Sequence, residues 1–187
     1  MQQRSETETR ILDATLEVGG LYGLSRLTVE DVAKHADVSR QTIYRYFGGR
    51  DDLVTATILR EEEQLIARMA AAASCHRSLR PALEAAIGEA LRAARQHPLL
   101  DRLLETEPEA LLPFLTTGAG PLLSAAQGVV EELLQDRVPH LTDRELQLVA
   151  EAATRLIVSY AINPPSDDID STASGLADLI ANGVKSE

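Results

Sequence analysis

Three side chains that can contact DNA, two at base edges and one at a phosphate, lie close together between residues 39 and 50. Arg40, Gln41 and Tyr44 stand at positions i, i+1 and i+4, so a helix would place them on one face. Arginine can donate two hydrogen bonds to guanine, and glutamine can bond adenine in the same two-point manner. A tyrosine hydroxyl suits a phosphate oxygen. The spacing therefore predicts that one short helix contacts double-stranded DNA.

The segments around these residues predict a helix-turn-helix. Ser39 is a natural N-cap for a helix that continues through Phe47, and Gly48 would stop it. Thr28 begins an earlier helix, and a break at Asp37 separates the two. In such a pair, the first helix holds the second against the major groove, where its N-terminal side chains meet the bases.

The charge distribution is compatible with DNA binding although the net charge is −11. Residues 1–50 carry seven basic and seven acidic residues, whereas residues 51–187 carry eleven basic and twenty-two acidic residues. Residues 38–50 contain three arginines and no acid. Among them, Arg50 is placed to clamp the DNA backbone, while Arg45 fits a solvated position and a DNA contact equally well. A short cationic surface thus precedes an acidic body.

The residues between Gly23 and Leu53 resemble the signature of TetR-family regulators. The matching positions are Gly23, Leu24, Thr28, Val29, Val32, Ala33, Ala36, Val38, Ser39, Ile43, Tyr44, Tyr46, Phe47, Arg50 and Leu53. The resemblance implies an all-α fold of nine or ten helices, in which the first three bind DNA and the fourth links them to a ligand domain. It also implies a homodimeric repressor, not an enzyme, that leaves its operator when a small molecule binds.

The resemblance assigns roles to individual residues. It implies that Thr28 is a phosphate-contacting helix cap, that Arg40, Gln41 and Thr42 read bases, and that Tyr44 contacts a phosphate. Tyr46 takes a place where the family has His or Tyr, and Arg50 takes that of a usual Lys. The complete predicted DNA-binding set is Thr28, Ser39, Arg40, Gln41, Thr42, Tyr44, Arg45, Tyr46 and Arg50.

Two residues depart from the family pattern. Asp37 stands where the turn usually has Gly, and Asp tolerates the left-handed conformation better than most residues. The turn should therefore form at some cost. Val18 stands where a Phe usually packs, which predicts a slightly smaller core.

We predict two domains, a DNA-binding domain over residues 1–50 and a helical effector-binding and dimerisation domain over residues 51–187. Apolar residues recur at helical spacing within 142–162 and 168–183. These stripes can be buried inside one subunit, or they can form a four-helix bundle with a symmetry mate. The resemblance favours a homodimer through both segments.

The effector pocket should lie within residues 51–140, between helices. Phe114 is the only aromatic residue there, so the lining should be largely aliphatic and slightly favours a flexible apolar ligand such as an acyl chain. Four basic side chains are candidates for an acidic head group, although each also suits an ordinary surface position. They are Arg68, Arg95, His97 and Arg102.

Other kinds of site find little support. The four histidines lack metal-ligand spacing, and the glycine pair Gly118 and Gly120 follows no strand, so we expect neither a metal nor a cofactor. The single Cys75 and the absence of an apolar run near the roughly 20 residues of a membrane span predict a soluble cytoplasmic protein. The alternatives to a DNA-binding regulator are a helical small-molecule carrier without an operator and a helical-bundle enzyme.

Overall fold

The structure, a computed structural model, describes residues 5–109, 120–163 and 168–184, and all regular structure in these ranges is helical. The helices described are α1 (Glu6–Tyr22), α2 (Val29–His35), α3 (Arg40–Phe47), α4 (Arg50–Ser74), α5 (Leu79–Gln96), α6 (Pro98–Thr106), α7 (Gly120–Arg137), α8 (Asp143–Ile162) and α9 (Ile169–Gly183). The all-α prediction is confirmed.

Short polar side chains explain where several helices begin. The Ser5 hydroxyl accepts a hydrogen bond from the Glu8 backbone N–H at 3.1 Å, which caps α1. At α8, Thr142 and Glu145 form a complete capping box, in which each side chain accepts from the other residue's backbone N–H. Pro98 occupies the first turn of α6, where its missing N–H costs nothing.

The chain divides into two compact units, the first of which comprises the described parts of Met1–Glu63 and His97–Leu115. Its core joins aliphatic side chains of α1 and α2 to Ile43 and Phe47 of α3 and to Leu99 and Leu103 of α6. Val18 is fully buried in this core. The predicted boundary at residue 50 differs from this division, because the first part of α4 and all of α6 pack with the helix-turn-helix.

A buried arginine joins α1 to α4 within the first unit. Arg60 is 4% exposed, and its Nη1 donates to Asp13 Oδ1 at 2.6 Å. Its Nε and Nη2 donate to Glu61 Oε1 at 3.1 and 2.8 Å, and Glu61 Oε2 lies 3.7 Å from His97 Nε2. His97 Nδ1 accepts from the Leu100 N–H, which caps α6. His97 and Arg60 together hold the pKa of the Glu61 carboxyl below its usual range.

The second unit comprises Gln64–Gln96 and the described part of Thr116–Glu187. Within it α7, α8 and α9 each pack against α5. The predicted stripes of α8 and α9 face this core, where Ala153, Ile157, Leu176 and Ile180 are buried. The sequence leaves open whether the stripes are buried inside one subunit or against a symmetry mate. These four side chains are buried inside the subunit.

Within the described residues, three further features concern membranes, metals and the cysteine. No helix there is long and apolar enough to cross a membrane, and no group of three or more His, Cys, Asp or Glu residues is arranged to hold a metal. Cys75 is exposed at the end of α4. Phe114 and Gly118 lie outside the described residues, and Gly120 is the first residue of α7.

Candidate nucleic-acid interface

Thr28 fixes the start of α2, the first helix of the helix-turn-helix. Its Oγ1 accepts from the Asp31 backbone N–H at 3.1 Å and donates to Asp31 Oδ2 at 2.5 Å. Val29 and Val32 follow on the buried side of the helix. Thr28 itself is exposed, as its predicted contact with a phosphate requires.

The turn between α2 and α3 contains a non-glycine residue in the left-handed region. Asp37 has φ +50°, and its N–H donates to the Lys34 carbonyl at 3.4 Å. The Val38 N–H donates to the Ala33 carbonyl at 3.0 Å. These two bonds form a Schellman motif, which ends α2 and redirects the chain into α3. The expectation that the turn forms with Asp in place of Gly is confirmed.

Local capping and two buried residues hold α3. The Ser39 Oγ accepts from the Thr42 N–H at 3.0 Å and lies 2.9 Å from the Thr42 hydroxyl. Ile43 and Phe47, four residues apart, are buried in the core of the first unit. The residues left exposed on α3 are Arg40, Gln41, Tyr44, Arg45 and Tyr46. All five belong to the predicted DNA-binding set.

Arg40 has an ionic partner on α2. Its Nη1 lies 3.3 Å from Glu30 Oε2, and the two side chains are 65% and 75% exposed. The neighbouring side chains of Gln41 and Tyr44 have no hydrogen-bond partner among the described residues, so their polar groups face solvent. This surface therefore offers a guanidinium, an amide and a hydroxyl to a ligand.

Tyr46 is turned toward the start of α1. Its hydroxyl oxygen accepts from Ser5 Oγ at 3.3 Å, and this hydrogen bond lowers the pKa of the phenol. The guanidinium carbon of Arg45 lies 5.4 Å from the centre of the Tyr46 ring, within the range of a cation–π contact. Both residues lie on the exposed side of α3.

The structure places Arg50 differently from its predicted role as a phosphate clamp. Its Nε donates to the Leu27 carbonyl at 2.9 Å, and its Nη2 donates to the Leu24 carbonyl. Its Nη1 pairs with Asp51 at 2.7 Å. The guanidinium thus faces the loop between α1 and α2, because that loop presents two carbonyl groups that no helix satisfies.

The same loop has a second anchor that the sequence did not indicate. The Glu107 carboxylate accepts from the Ser25 N–H at 3.1 Å and from the Ser25 hydroxyl at 2.6 Å. The Ser25 side chain lowers the pKa of Glu107 most strongly. Because the two residues are 82 positions apart, no local pattern could have paired them.

The predicted head-group residues are divided between the two units. Arg68 and Arg95 belong to the second unit, and Arg68 lies 3.4 Å from Glu89. His97 and Arg102 belong to the first unit, where His97 caps α6.

An open groove of about 510 Å³ in the second unit includes none of the four. It is lined by Leu79, Arg80, Arg137, Val138, His140, Ala181 and Val184.

Two family models match most of the chain. The model described as "Bacterial regulatory proteins, tetR family" matches residues 11–57, which include α2 and α3. The model described as "Bacterial Tetracyclin repressor, C-terminal domain" matches residues 78–182.

Relatives and solved structures agree with these matches. The transcriptional regulator AlkX of Mycobacterium tuberculosis is 31% identical over 183 residues, covering 91% of this chain and 81% of that protein. The crystal structure of the TetR-family repressor AlkX from Dietzia sp. strain DQ12-45-1b has a TM-score of 0.73 at 30% identity, over 98% of this chain and 97% of the other. The fatty acid degradation regulator FadR of Bacillus halodurans shares the fold alone, with a TM-score of 0.71 at 16% identity over the full length of both chains. The chain belongs to the TetR family and is a transcriptional regulator, not an enzyme.

Proposed function

We propose that this protein is a ligand-responsive repressor that binds a palindromic operator as a homodimer and leaves it when a small molecule binds. The exposed face of α3 is the observation that carries this proposal. Ile43 and Phe47 fix the helix from behind, while Arg40, Gln41 and Tyr44 face outward. A helix held in this way can enter the major groove without rearranging the core.

The residue types divide the work of recognition. Arg40 and Gln41, at the start of α3, suit guanine and adenine edges respectively. Tyr44 and Thr28 present hydroxyls to phosphate oxygens, which fixes the register of the protein on the duplex. Ser39 acts through the backbone by capping α3, and Thr42 stands half-buried beside it. Arg45 adds an exposed positive charge.

Substitution of Arg40 tests this assignment. Arg40→Ala should cost about 1–3 kcal/mol of operator binding and relax the base preference at one position in each half-site. Arg95→Ala, which removes an equally charged exposed side chain from α5, is the control and should leave the preference intact. Unchanged operator binding by Arg40→Ala would exclude Arg40 as a base-reading residue, whereas a lack of sequence-specific binding by the unchanged protein would favour a small-molecule carrier without an operator.

Two faces of the second unit remain for the proposed dimer. On α8, Leu148 is 65% exposed, and Ala152 follows one turn later on the same face. On α9, Leu179 is 60% exposed, and Gly175 lies one turn before it with open space where a Cβ would stand. A leucine beside a small residue allows close packing of a helix from a second copy.

A matched pair of variants tests dimerisation. Leu179→Glu should shift the protein toward monomer in sedimentation and weaken operator binding, because one subunit reads only one half-site. Leu21→Glu is the control, since Leu21 is also 60% exposed but lies on α1. Equal sedimentation of Leu179→Glu and the unchanged protein would exclude this surface as the interface.

We infer further that the effector is aliphatic. The buried side chains described in the second unit are aliphatic apart from Met69 and one threonine, with Tyr160 partly buried against them. The Dietzia relative is implicated in the biodegradation of n-alkanes. The effector would act by favouring a conformer whose two α3 helices no longer match successive major grooves, roughly 34–36 Å apart, with a coupling of about 1–3 kcal/mol. Titration of the operator complex with alkanes, fatty acids and planar aromatics tests this inference. An alkane or a fatty acid should release the DNA at a lower concentration than a planar aromatic compound.

A further inference from the structure

The ion pair between Glu30 and Arg40 joins the two helices of the helix-turn-helix on their exposed side. Glu30 is the second residue of α2, and Arg40 is the first residue of α3. Their closest atoms are 3.3 Å apart, and each side chain is more than half exposed. The pair therefore lies at the N-terminal end of α3, the end from which a recognition helix reaches the bases.

A carboxylate at this position is unfavourable for a surface that approaches DNA. The duplex carries one negative charge for about every 1.7 Å of its axis, so an unpaired Glu30 would be repelled. Its contact with Arg40 offsets this repulsion as long as the guanidinium stays beside it. If Arg40 turned away to reach a phosphate, Glu30 would be left among phosphates without a partner.

We propose that Glu30 is a positioning residue that directs Arg40 toward a base edge and away from phosphates. The inference rests on the proposed function, because it takes Arg40 to read the operator. Glu30 occupies Nη1 of the guanidinium, which leaves N–H groups on Nε and Nη2 to meet O6 and N7 of a guanine. A complex in which Arg40 meets guanine keeps the ion pair, whereas Arg40 cannot reach a phosphate of non-operator DNA without breaking it.

Glu30→Gln is the main test, because it keeps the shape of the side chain and removes its charge. The full-length protein is titrated with its operator, with operators changed at single positions, and with unrelated duplex, each at several salt concentrations. We expect discrimination at the Arg40 position to fall by about 1.4-fold to fivefold, the range of an exposed ion pair. On unrelated DNA, the plot of log affinity against log salt should steepen by about 0.9 per subunit, because Arg40 becomes free to neutralise one phosphate.

Two further variants separate charge from contact. Glu17→Gln removes the same charge from an exposed position on α1 that makes no ion pair with α3 among the described residues, so it should leave base discrimination unchanged. Glu30→Asp keeps the charge but shortens the side chain beyond reach of Arg40, so discrimination should fall and the salt dependence should steepen as they do for Glu30→Gln. Thermal unfolding of all three variants should match that of the unchanged protein.

The double variant with Arg40→Ala decides whether Glu30 acts through Arg40. Once Arg40 is absent, Glu30→Gln should no longer alter base preference. The proposal is overturned if Glu30→Gln leaves discrimination and salt dependence unchanged while Arg40→Ala loses the preference, or if its effect persists without Arg40. If the unchanged protein discriminates among no sequences, the proposed function fails together with this inference.

Discussion

Replacing Arg50 with alanine should destabilise the folded protein, because its guanidinium holds the loop between α1 and α2. The side chain donates to the carbonyl groups of Leu24 and Leu27 and pairs with Asp51. Alanine would leave both carbonyl groups without this partner. The surface pair with Asp51 adds little, since Asp51 is almost fully exposed.

The size of the effect follows from the two carbonyl contacts. Hydrogen bonds to a charged group contribute about 1.5–3 kcal/mol each. The Arg50 side chain is 39% exposed, so water can replace part of each bond. Halving the sum leaves a loss of about 1.5–3 kcal/mol. For a chain of this size, that corresponds to a decrease in Tm of roughly 3–12 °C.

Denaturant unfolding and DNA binding, measured on the same variants, separate this role from a phosphate clamp. Arg50→Lys should recover only part of the stability, because one ammonium cannot reproduce the two-pronged contact. Arg45→Ala is the control for stability alone, because Arg45 also belongs to the predicted DNA-binding set; within the protein it loses a cation–π contact and should cost no more than about 1 kcal/mol of stability. Our account of Arg50 would be refuted if Arg50→Ala unfolds at the unchanged midpoint yet binds all DNA sequences more weakly.

Three more substitutions test the first unit by urea unfolding. Gly23→Ala should cost about 1–3 kcal/mol, because Gly23 has φ +84° and ψ 162° and an added Cβ would overlap the Glu107 carboxylate; an unchanged midpoint would contradict this. Asp37→Gly should add about 0.5 kcal/mol, because relief of the strained backbone exceeds the entropy cost of glycine; a loss would mean that the Asp37 side chain itself stabilises the turn. The depressed pKa of Glu61 contributes stability above its ordinary value of 4.5 that is lost as the pH falls through the folded value. Glu61→Gln should therefore weaken the acid dependence of unfolding, and an identical dependence would exclude the Glu61 carboxyl as a contributor to it.

Local features of the helix-turn-helix were predictable because their causes lie within a few residues. Ser39 caps α3 through an N–H three positions away, and Thr28 caps α2 in the same way. Ile43 and Phe47 are buried because they recur at helical spacing. The exposure of Arg40, Gln41 and Tyr44 follows from that burial, so the candidate interface could be read from sequence before the structure was known.

Contacts between distant segments were not predictable. The orientation of Arg50 depends on two carbonyl groups more than 20 positions earlier in the chain. Arg60 pairs with Asp13, which is 47 positions away in the sequence. The burial of the α8 stripe depends on α5 and α7, which come from other parts of the sequence. Sequence spacing shows that a face is apolar, but only the packed structure shows what covers it.

The proposal that α3 reads a palindromic operator is tested most directly by selection from genomic fragments. The purified full-length protein, without ligand, is mixed with the fragments at about 100–150 mM salt, where non-specific attraction is weakened. We predict recovery of one short palindromic motif, and loss of its enrichment with Arg40→Ala. Recovery of no common motif by a folded dimer would contradict the unliganded repressor.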